Sequence, residues 1–266
     1  MTILRRVARN VADLEAAASF YGVLGFAPLG KPADDPELAA ALGVARVRSL
    51  RLGLGAQVLE LTQCTPPGAP YPAGAASDDP RFQHVAIVTG EIFVVHGRAM
   101  RAGAKSISYN GPQRLPKESG GVIAWKFRDP DGHPLELLQF PEHSTVRGAA
   151  LTTGYDHSAI GVSDTARSIA FYEALGLALA HQHVNHGIEQ DRLDGLEDVA
   201  VNVVAMRPAQ APPHVELLGY RNMATADTRT QPNDIAADRL VFDHPDGGLA
   251  LQRDPDGHFL LRDGRK

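Results

Sequence analysis

The chain has 266 residues, and its 26 lysines and arginines against 31 aspartates and glutamates leave a formal net charge of −5. This balance argues against a nucleic-acid partner and against an anionic membrane surface. No apolar run approaches the roughly 20 residues of a membrane span, and no signal peptide is recognisable, so we expect a cytoplasmic protein. Cys64 is the only cysteine, which excludes an intramolecular disulfide.

The amino-terminal part of the chain predicts one strand, one helix and then further strands. The strand is expected at residues 3–11, and strands near 46–53 and 56–62 complete this first module. Residues 13–21 predict a helix, with Asp13 as its N-cap and Gly25 just beyond its end. The apolar side chains of this helix recur at intervals of three and four residues, at Leu14, Ala17, Ala18 and Tyr21.

The same order of elements returns along the rest of the chain. Module two predicts a strand, a helix and two strands at 83–89, 91–102, 121–128 and 134–140. Module three predicts the same series at 156–162, 164–177, 199–206 and 213–219. Module four predicts three strands near 238–243, 249–252 and 258–262, with a turn at 245–248 in place of the helix. A repeat of this kind is a stronger indication of the fold class than any single residue.

Two short phrases and one pair of residue types recur at matching places in the modules. Phe-Tyr-x-x-Leu-Gly occurs at 20–25 and 171–176, and Asp-Pro-Asp-Gly occurs at 129–132 and 254–257. The second phrase is typical of a reverse turn, because proline presets φ and glycine allows a positive φ. A histidine and a glutamate also recur near the ends of equivalent strands, as His84 with Glu136 and His157 with Glu216.

These phrases resemble the vicinal oxygen chelate superfamily, which contains glyoxalases, bleomycin resistance proteins and extradiol dioxygenases. The resemblance covers nearly the whole chain and implies an α+β fold: four βαβββ modules, the fourth truncated, paired into two cupped, barrel-like mixed sheets with flanking helices. We expect two domains, residues 1–145 (modules 1–63 and 80–145) and residues 150–266 (modules 152–222 and 236–266). Expected linkers are residues 64–81 and 141–154.

The resemblance also implies that metal ligands come from the first and last strands of two paired modules. The matching positions, in module order, are Arg6 and Glu60, His84 and Glu136, His157 and Glu216, and Arg239 and Leu261. Pairing of sequential modules would leave both sites incomplete. Crossed pairing, of module two with three and one with four, gives a complete set of two histidines and two glutamates and a second site that cannot hold a cation. We favour crossed pairing, because the intact positions cluster in the middle modules.

Two imidazoles and two carboxylates suit a divalent ion such as Ni, Co, Zn, Mn or Fe. The resemblance then implies a glyoxalase-type lyase or isomerase that acts on a small substrate with adjacent oxygens. The metal would stabilise an enediolate, and Glu136 or Glu216, released from the metal, would move the proton. We expect this small molecule as the partner, no nucleic acid and no membrane, and a monomer or homodimer.

Two other functions remain open at this point. One is Fe(II)-dependent extradiol ring cleavage, which uses two histidines and one carboxylate and requires that one of the glutamates does not bind. The other is a metal-free protein that binds a small molecule, as resistance proteins of this superfamily do. If His84, Glu136, His157 and Glu216 converge on one point, a metalloenzyme is favoured over the metal-free binding protein.

Several other residues have a simpler interpretation. Glu60 is expected to pair with Arg6 or Arg239 in the incomplete site. The histidines at 181, 183 and 186 are expected to be solvated, although the first two share one face of a strand. The remaining expectations are that His133 and His258 pack the turns, that Trp125 and Phe127 belong to the core, and that Cys64 is not a nucleophile.

Overall fold

The computed structural model describes residues 2–143, 151–223 and 229–265. Module one contains β1 (Leu4–Asn10), α1 (Leu14–Val23), β2 (Ala27–Pro28), β3 (Ala33–Asp34), α2 (Pro36–Leu42), β4 (Arg46–Leu54) and β5 (Gln57–Thr65). Module two contains β6 (Gln83–Thr89), α3 (Ile92–Arg101), β7 (Lys105–Ser106), β8 (Gln113–Arg114), β9 (Ile123–Arg128) and β10 (Pro134–Gln139), with short 3-10 helices at Lys117–Ser119 and Pro141–His143.

Module three contains β11 (Thr152–Gly161), α4 (Thr165–Ala174), β12 (Ala178–His186), α5 (Ile188–Asp194), β13 (Ala200–Arg207) and β14 (His214–Tyr220). Module four contains β15 (Arg239–Asp243), β16 (Leu249–Arg253) and β17 (Phe259–Asp263). In residues 229–265 this last module forms no helix, so it is shorter than the other three. None of the described helices is long and apolar enough to cross a membrane.

The strands form two mixed sheets, and each sheet combines strands from two modules. The first sheet has the order β16-β17-β15-β1-β5-β4-β2, with β3 beside β4, and so combines modules one and four. The second sheet has the order β12-β13-β14-β11-β6-β10-β9-β7, with β8 beside β9, and so combines modules two and three. The crossed pairing favoured by the sequence is therefore confirmed. Neither sheet closes into a barrel within the described residues.

The helices α1 and α4 have similar sequences, and the same capping interaction stabilises the first turn of each. The side chain of Asp13 accepts a hydrogen bond from Ala16 N, and that of Asp164 accepts one from Arg167 N. Each bond satisfies a backbone N–H that the first turn of a helix leaves without a partner. The helices then bury one face, which in α1 is formed by Leu14, Ala17, Phe20 and Tyr21.

One large apolar cluster takes side chains from both sheets and from the helices α1, α3 and α4. Trp125 and Phe127 belong to it, and their rings stack with centroids 4.2 Å apart. Their predicted place in the core is confirmed. Because both sheets contribute side chains to this one close-packed core, the core holds the two sheets together.

The sequence-based prediction lacked two of the observed helices, and the strands β5 and β11 extend into the predicted linkers 64–81 and 141–154. The helices α2 and α5 span only seven residues each, too few for an apolar periodicity to be recognised. The strand β11 begins at Thr152, inside the predicted linker 141–154, because Thr152 pairs with Thr89 on β6. The boundary expected between residues 145 and 150 lies outside the described residues, and the two-domain division stays a prediction.

Candidate metal centre

A cavity of about 490 Å³ is lined largely by side chains of the second sheet. All four residues predicted as metal ligands line it: His84, Glu136, His157 and Glu216. They lie on four adjacent strands, β10, β6, β11 and β14, which follow one another in the sheet. Ala159 on β11 is opposite both His84 and Glu216, and Ala86 on β6 is opposite both Glu136 and His157, so the four positions occupy two adjacent levels on one face of the sheet.

Short distances join the side chains of these residues. Glu136 Oε2 lies 3.1 Å from His84 Nε2 and 3.7 Å from His157 Nε2. His157 Nε2 also lies 3.3 Å from Glu216 Oε2. The ligand atoms of His84, Glu136 and His157 all lie within 4.8 Å of one another. Glu216 contacts His157 but is not part of this compact group.

The charges in this group depend on one another. Burial alone would raise the pKa of Glu136, but the nearby imidazoles of His157 and His84 hold it far below its usual value. Burial opposes a charge on His157, yet Glu216, Asp156 and Glu136 raise its pKa well above the usual value. Burial dominates at His84 and lowers its pKa. A positive charge is therefore favoured between the two glutamates, at the position that His157 Nε2 faces.

The geometry of the donor set is compatible with a divalent ion. His157 Nε2 and His84 Nδ1 are buried and have no hydrogen-bond partner within the described part of the chain. Two ligands at about 2.0–2.2 Å from one ion lie about 3.0–3.5 Å apart when they are neighbours around it. The observed separations of 3.1, 3.3 and 3.7 Å are close to that range. The residues therefore fit a divalent metal ion.

Asp156 orients His157 toward this position. Its Oδ2 atom lies 3.0 Å from His157 Nδ1, so the ring donates through Nδ1 and turns Nε2 toward the cavity. A carboxylate behind a histidine in this way is the usual support of a metal-bound imidazole. The charges of His157 and His214 help to lower the pKa of Asp156, although burial acts in the opposite direction.

Sequence reasoning missed three polar residues of the site: Asp156, Lys126 and His214. His214 Nε2 lies 3.3 Å from Glu216 Oε1, and the ligand atoms of Asp156, His157 and His214 lie within 4.8 Å of one another. A signal for His214 existed, because it precedes Glu216 by two positions on one strand and so shares its face. Lys126 carried no such signal, because its position depends on the register of β9 against β10.

The histidine-rich strand β12 lies at the rim of the cavity. His181 and His183 line the cavity, and their rings stack with centroids 5.6 Å apart. The prediction that they share a face is confirmed, and His181 is exposed as expected. His186 is also exposed and does not line the cavity.

The equivalent positions of the first sheet form a buried ion-pair network. Arg6 donates to Glu60 at 2.9 Å and to Asp263 at 2.6 Å, which confirms the predicted pairing of Glu60 with Arg6. Arg51 adds a second bond to Glu60 at 3.0 Å. Arg239 instead donates to Asn10 Oδ1 and Thr62 Oγ1, and Leu261 is buried in an apolar cluster. Arginine and leucine offer no metal ligand, so these four positions cannot form the set found in the second sheet.

The chain belongs to the Glyoxalase/Bleomycin resistance protein/Dioxygenase superfamily, whose family model matches residues 3–137. Its fold is similar to that of glyoxalase I from Zea mays, with a TM-score of 0.64 at 16% identity over 98% of this chain and 92% of that one. A putative dioxygenase from Bacillus subtilis has a TM-score of 0.59 at 12% identity, over 98% of this chain and 85% of that one. No curated protein matches the sequence. Identities this low establish a common fold and leave the reaction to the site itself.

Proposed function

We propose that the protein is a divalent-metal-dependent enzyme of the glyoxalase type, a lyase or isomerase whose small substrate carries two adjacent oxygens. The observation that carries this proposal is that the possible ligand atoms of His84, Glu136 and His157 lie close together. One buried nitrogen of this group, His157 Nε2, has no hydrogen-bond partner within the described residues. The cavity of about 490 Å³ above them has the size of a site for a small molecule.

His84, Glu136 and His157 would hold the ion, with Glu216 beside them as a fourth ligand or a base. An ion such as Ni, Co, Zn, Mn or Fe would supply Lewis acidity toward the two substrate oxygens. Asp156 would keep the His157 ring in its orientation. The apolar side chains around the cavity, among them Leu138, would exclude water and strengthen these polar interactions.

Glu216 is the better of the two glutamates for moving a proton. Its side chain is 15% exposed against 6% for Glu136, and only Glu136 contacts both histidines of the compact group. Burial opposes ionisation of Glu216, but the charges of His157 and His214 lower its pKa, so it stands as a carboxylate at neutral pH. A carboxylate at the edge of the centre can accept a proton from the carbon beside a substrate carbonyl. His214, 3.3 Å from the other oxygen of Glu216, would hold that oxygen in place.

One observation favours a second candidate function, Fe(II)-dependent ring cleavage of a catechol. That chemistry uses two histidines and one carboxylate. The compact group is such a set, with Glu216 outside it. We place this function second, because Glu216 remains 3.3 Å from His157 Nε2 and is within reach of an ion held there.

The test is metal content and turnover of protein purified without a chelator or a metal-binding tag. We expect about one divalent ion per chain in the wild type, its loss in His157→Ala, and its retention in His181→Ala, a matched control that also lines the cavity. The metal-loaded protein is then assayed with α-ketoaldehydes and, separately, with catechols under oxygen. Isomerisation supports the proposal, and ring cleavage supports the second candidate. A protein that takes up no ion after reconstitution would be a metal-free binding protein.

A further inference from the structure

Lys126 places a buried ammonium group in the wall of the cavity. It lies on β9 directly opposite Glu136 on β10, and both side chains line the cavity. Only 4% of Lys126 is exposed. Charged lysines are rarely buried to this extent unless another group compensates the charge.

The compensating group is Asp194, at the end of α5. Lys126 Nζ donates to Asp194 Oδ1 at 2.5 Å, and the ring of Phe82 lies 5.8 Å from the same ammonium. Asp194 Oδ2 also accepts from Gln190 Nε2 at 2.8 Å and from the Tyr220 hydroxyl at 3.1 Å. We call Lys126, Gln190 and Tyr220, which all line the cavity, the donor patch.

The donor patch has more hydrogen-bond donors than its one carboxylate can use. An ammonium, a carboxamide and a phenol together offer six N–H and O–H groups. Three are used by Asp194. Within the described part of the chain the hydrogen bonds leave two N–H groups of Lys126 and one of Gln190 without an acceptor. Lys126 and Gln190 line the cavity, so an acceptor group held in the cavity can bind these remaining N–H groups.

We propose that the donor patch binds a carboxylate of the substrate while the adjacent oxygens of that substrate occupy the candidate metal centre. The inference rests on the proposed function and adds the class of substrate to it. A carboxylate fits the patch better than a neutral oxygen, because it presents two acceptor atoms and forms charge-assisted bonds with an ammonium. Because Lys126 lies opposite Glu136 on the neighbouring strand, one small molecule can reach the donor patch with its carboxylate and the candidate metal centre with its adjacent oxygens.

A structural role for Lys126 must be separated from substrate recognition. Its bond to Asp194 also holds α5 against the second sheet, so Lys126→Met lowers stability whether or not a substrate binds there. A loss of stability lowers the binding affinity for every ligand by a similar factor. Recognition of a carboxylate instead changes the ratio of the affinities for two ligands that differ only in that group.

The experiment measures this ratio on Zn²⁺-loaded protein by calorimetry, with catechol as reference and with 2,3- and 3,4-dihydroxybenzoate as probes. We expect the preference for at least one carboxylated probe to fall about tenfold or more in Lys126→Met. Lys126→Arg keeps most of the preference, Gln190→Met loses part of it, and the exposed control Lys105→Met keeps all of it. A ratio that is unchanged in Lys126→Met overturns the inference and leaves the proposed function standing. If the Zn²⁺-loaded wild type binds neither carboxylated probe more tightly than catechol, the inference also fails, and the assay of metal content and turnover still decides the proposed function.

Discussion

The Tyr21 hydroxyl donates a hydrogen bond of 2.8 Å to Asp129 Oδ2, and so joins the helix of module one to the Asp-Pro-Asp-Gly turn of module two. Tyr172 makes the equivalent bond of 3.0 Å to Asp254 and joins module three to module four. The recurring phrases of the sequence therefore bind one another between consecutive modules. The sheets, in contrast, pair module two with three and one with four.

The histidines that follow these turns extend the same connections. His133 Nε2 lies 2.7 Å from the carbonyl oxygen of Asn10, and His258 Nε2 lies 2.7 Å from that of Gly161. Each backbone oxygen belongs to the end of a first strand, β1 or β11. The prediction that both histidines pack the turns is confirmed, since each is buried against the neighbouring module.

Removing one of these tyrosine hydroxyls is predicted to destabilise the fold. Tyr172→Phe leaves Asp254 Oδ2 without its donor in a buried position, which costs about 1–3 kcal/mol. Tyr21→Phe costs more, because the same hydroxyl also accepts a bond of 2.6 Å from Arg9. Urea unfolding measures the loss, with Tyr109→Phe, at an exposed tyrosine, as the control. Equal stability of Tyr172→Phe and the control would contradict the role given to the repeat.

Asp156→Asn is predicted to weaken metal binding without removing a ligand. The amide can no longer accept as an anion from His157 Nδ1, so the ring loses its fixed orientation and some basicity. We expect the affinity for Zn²⁺ or Co²⁺ to fall about 10–100-fold by competition with a chromophoric chelator. Asp246→Asn, in an exposed turn, serves as the control. An affinity equal to that of the control would mean that Asp156 does not support the centre.

The two glutamates are predicted to fail in different ways. Glu216→Gln keeps the ion but loses the base, so turnover falls about 10²–10⁴-fold at nearly unchanged metal content. Glu136→Gln loses the ion itself, because Glu136 is the carboxylate within the compact group. Metal analysis and initial rates on the same preparations check both statements. Loss of the ion from Glu216→Gln would instead make Glu216 an obligatory ligand.

The pair of His133 and Asp238 is predicted to stabilise the protein in a pH-dependent way. His133 Nδ1 lies 3.2 Å from Asp238 Oδ1. Burial lowers the pKa of His133, but the carboxylates of Asp238 and Asp129 outweigh this and raise it above the usual 6.5. Because the pKa is higher in the folded state, this stabilisation is complete below the unfolded value and is lost as the pH rises through the folded one.

A double-mutant cycle of His133→Gln and Asp238→Asn measures this effect by urea unfolding. We expect a larger coupling free energy at about pH 5.5, where the ring is protonated, than at an alkaline pH above the raised pKa of His133. The pKa of Asp238 is lowered, against the effect of its burial, by Arg9 and His133, so the carboxylate stays ionised at both pH values. Equal coupling at the two values would contradict a charged His133.

Arg6→Met is predicted to lower stability and to leave metal content unchanged. It removes the cation that bonds Glu60 and Asp263, both of which are buried. We expect a loss of about 3 kcal/mol in the free energy of unfolding, because Arg51 and Arg265 remain as partners of the two carboxylates. Calorimetry with Zn²⁺ on the same variant should give the wild-type stoichiometry. A reduced stoichiometry would indicate that the first sheet contributes to metal binding.

Much of the candidate site could be predicted from the sequence, because the repeat places chemically matched residues at equivalent strand positions. His84, Glu136, His157 and Glu216 were found in this way, and the structure brings all four into one cavity. Their role as ligands remains a proposal. Lys126 and Asp194 could not be found, because they meet only through the register of β9 on β10 and the placement of the short helix α5.

The sequence by itself determined the modules, the caps of α1 and α4, and the kinds of ligand available, because these depend on local periodicity and on residues a few positions apart. Only the tertiary structure decided which modules share a sheet. That choice depends on contacts between strands far apart in the chain, such as β6 with β11 and β1 with β15. It places the four candidate ligand residues on one sheet and the buried arginine pairs on the other, since strand pairing and register fix which side chains meet.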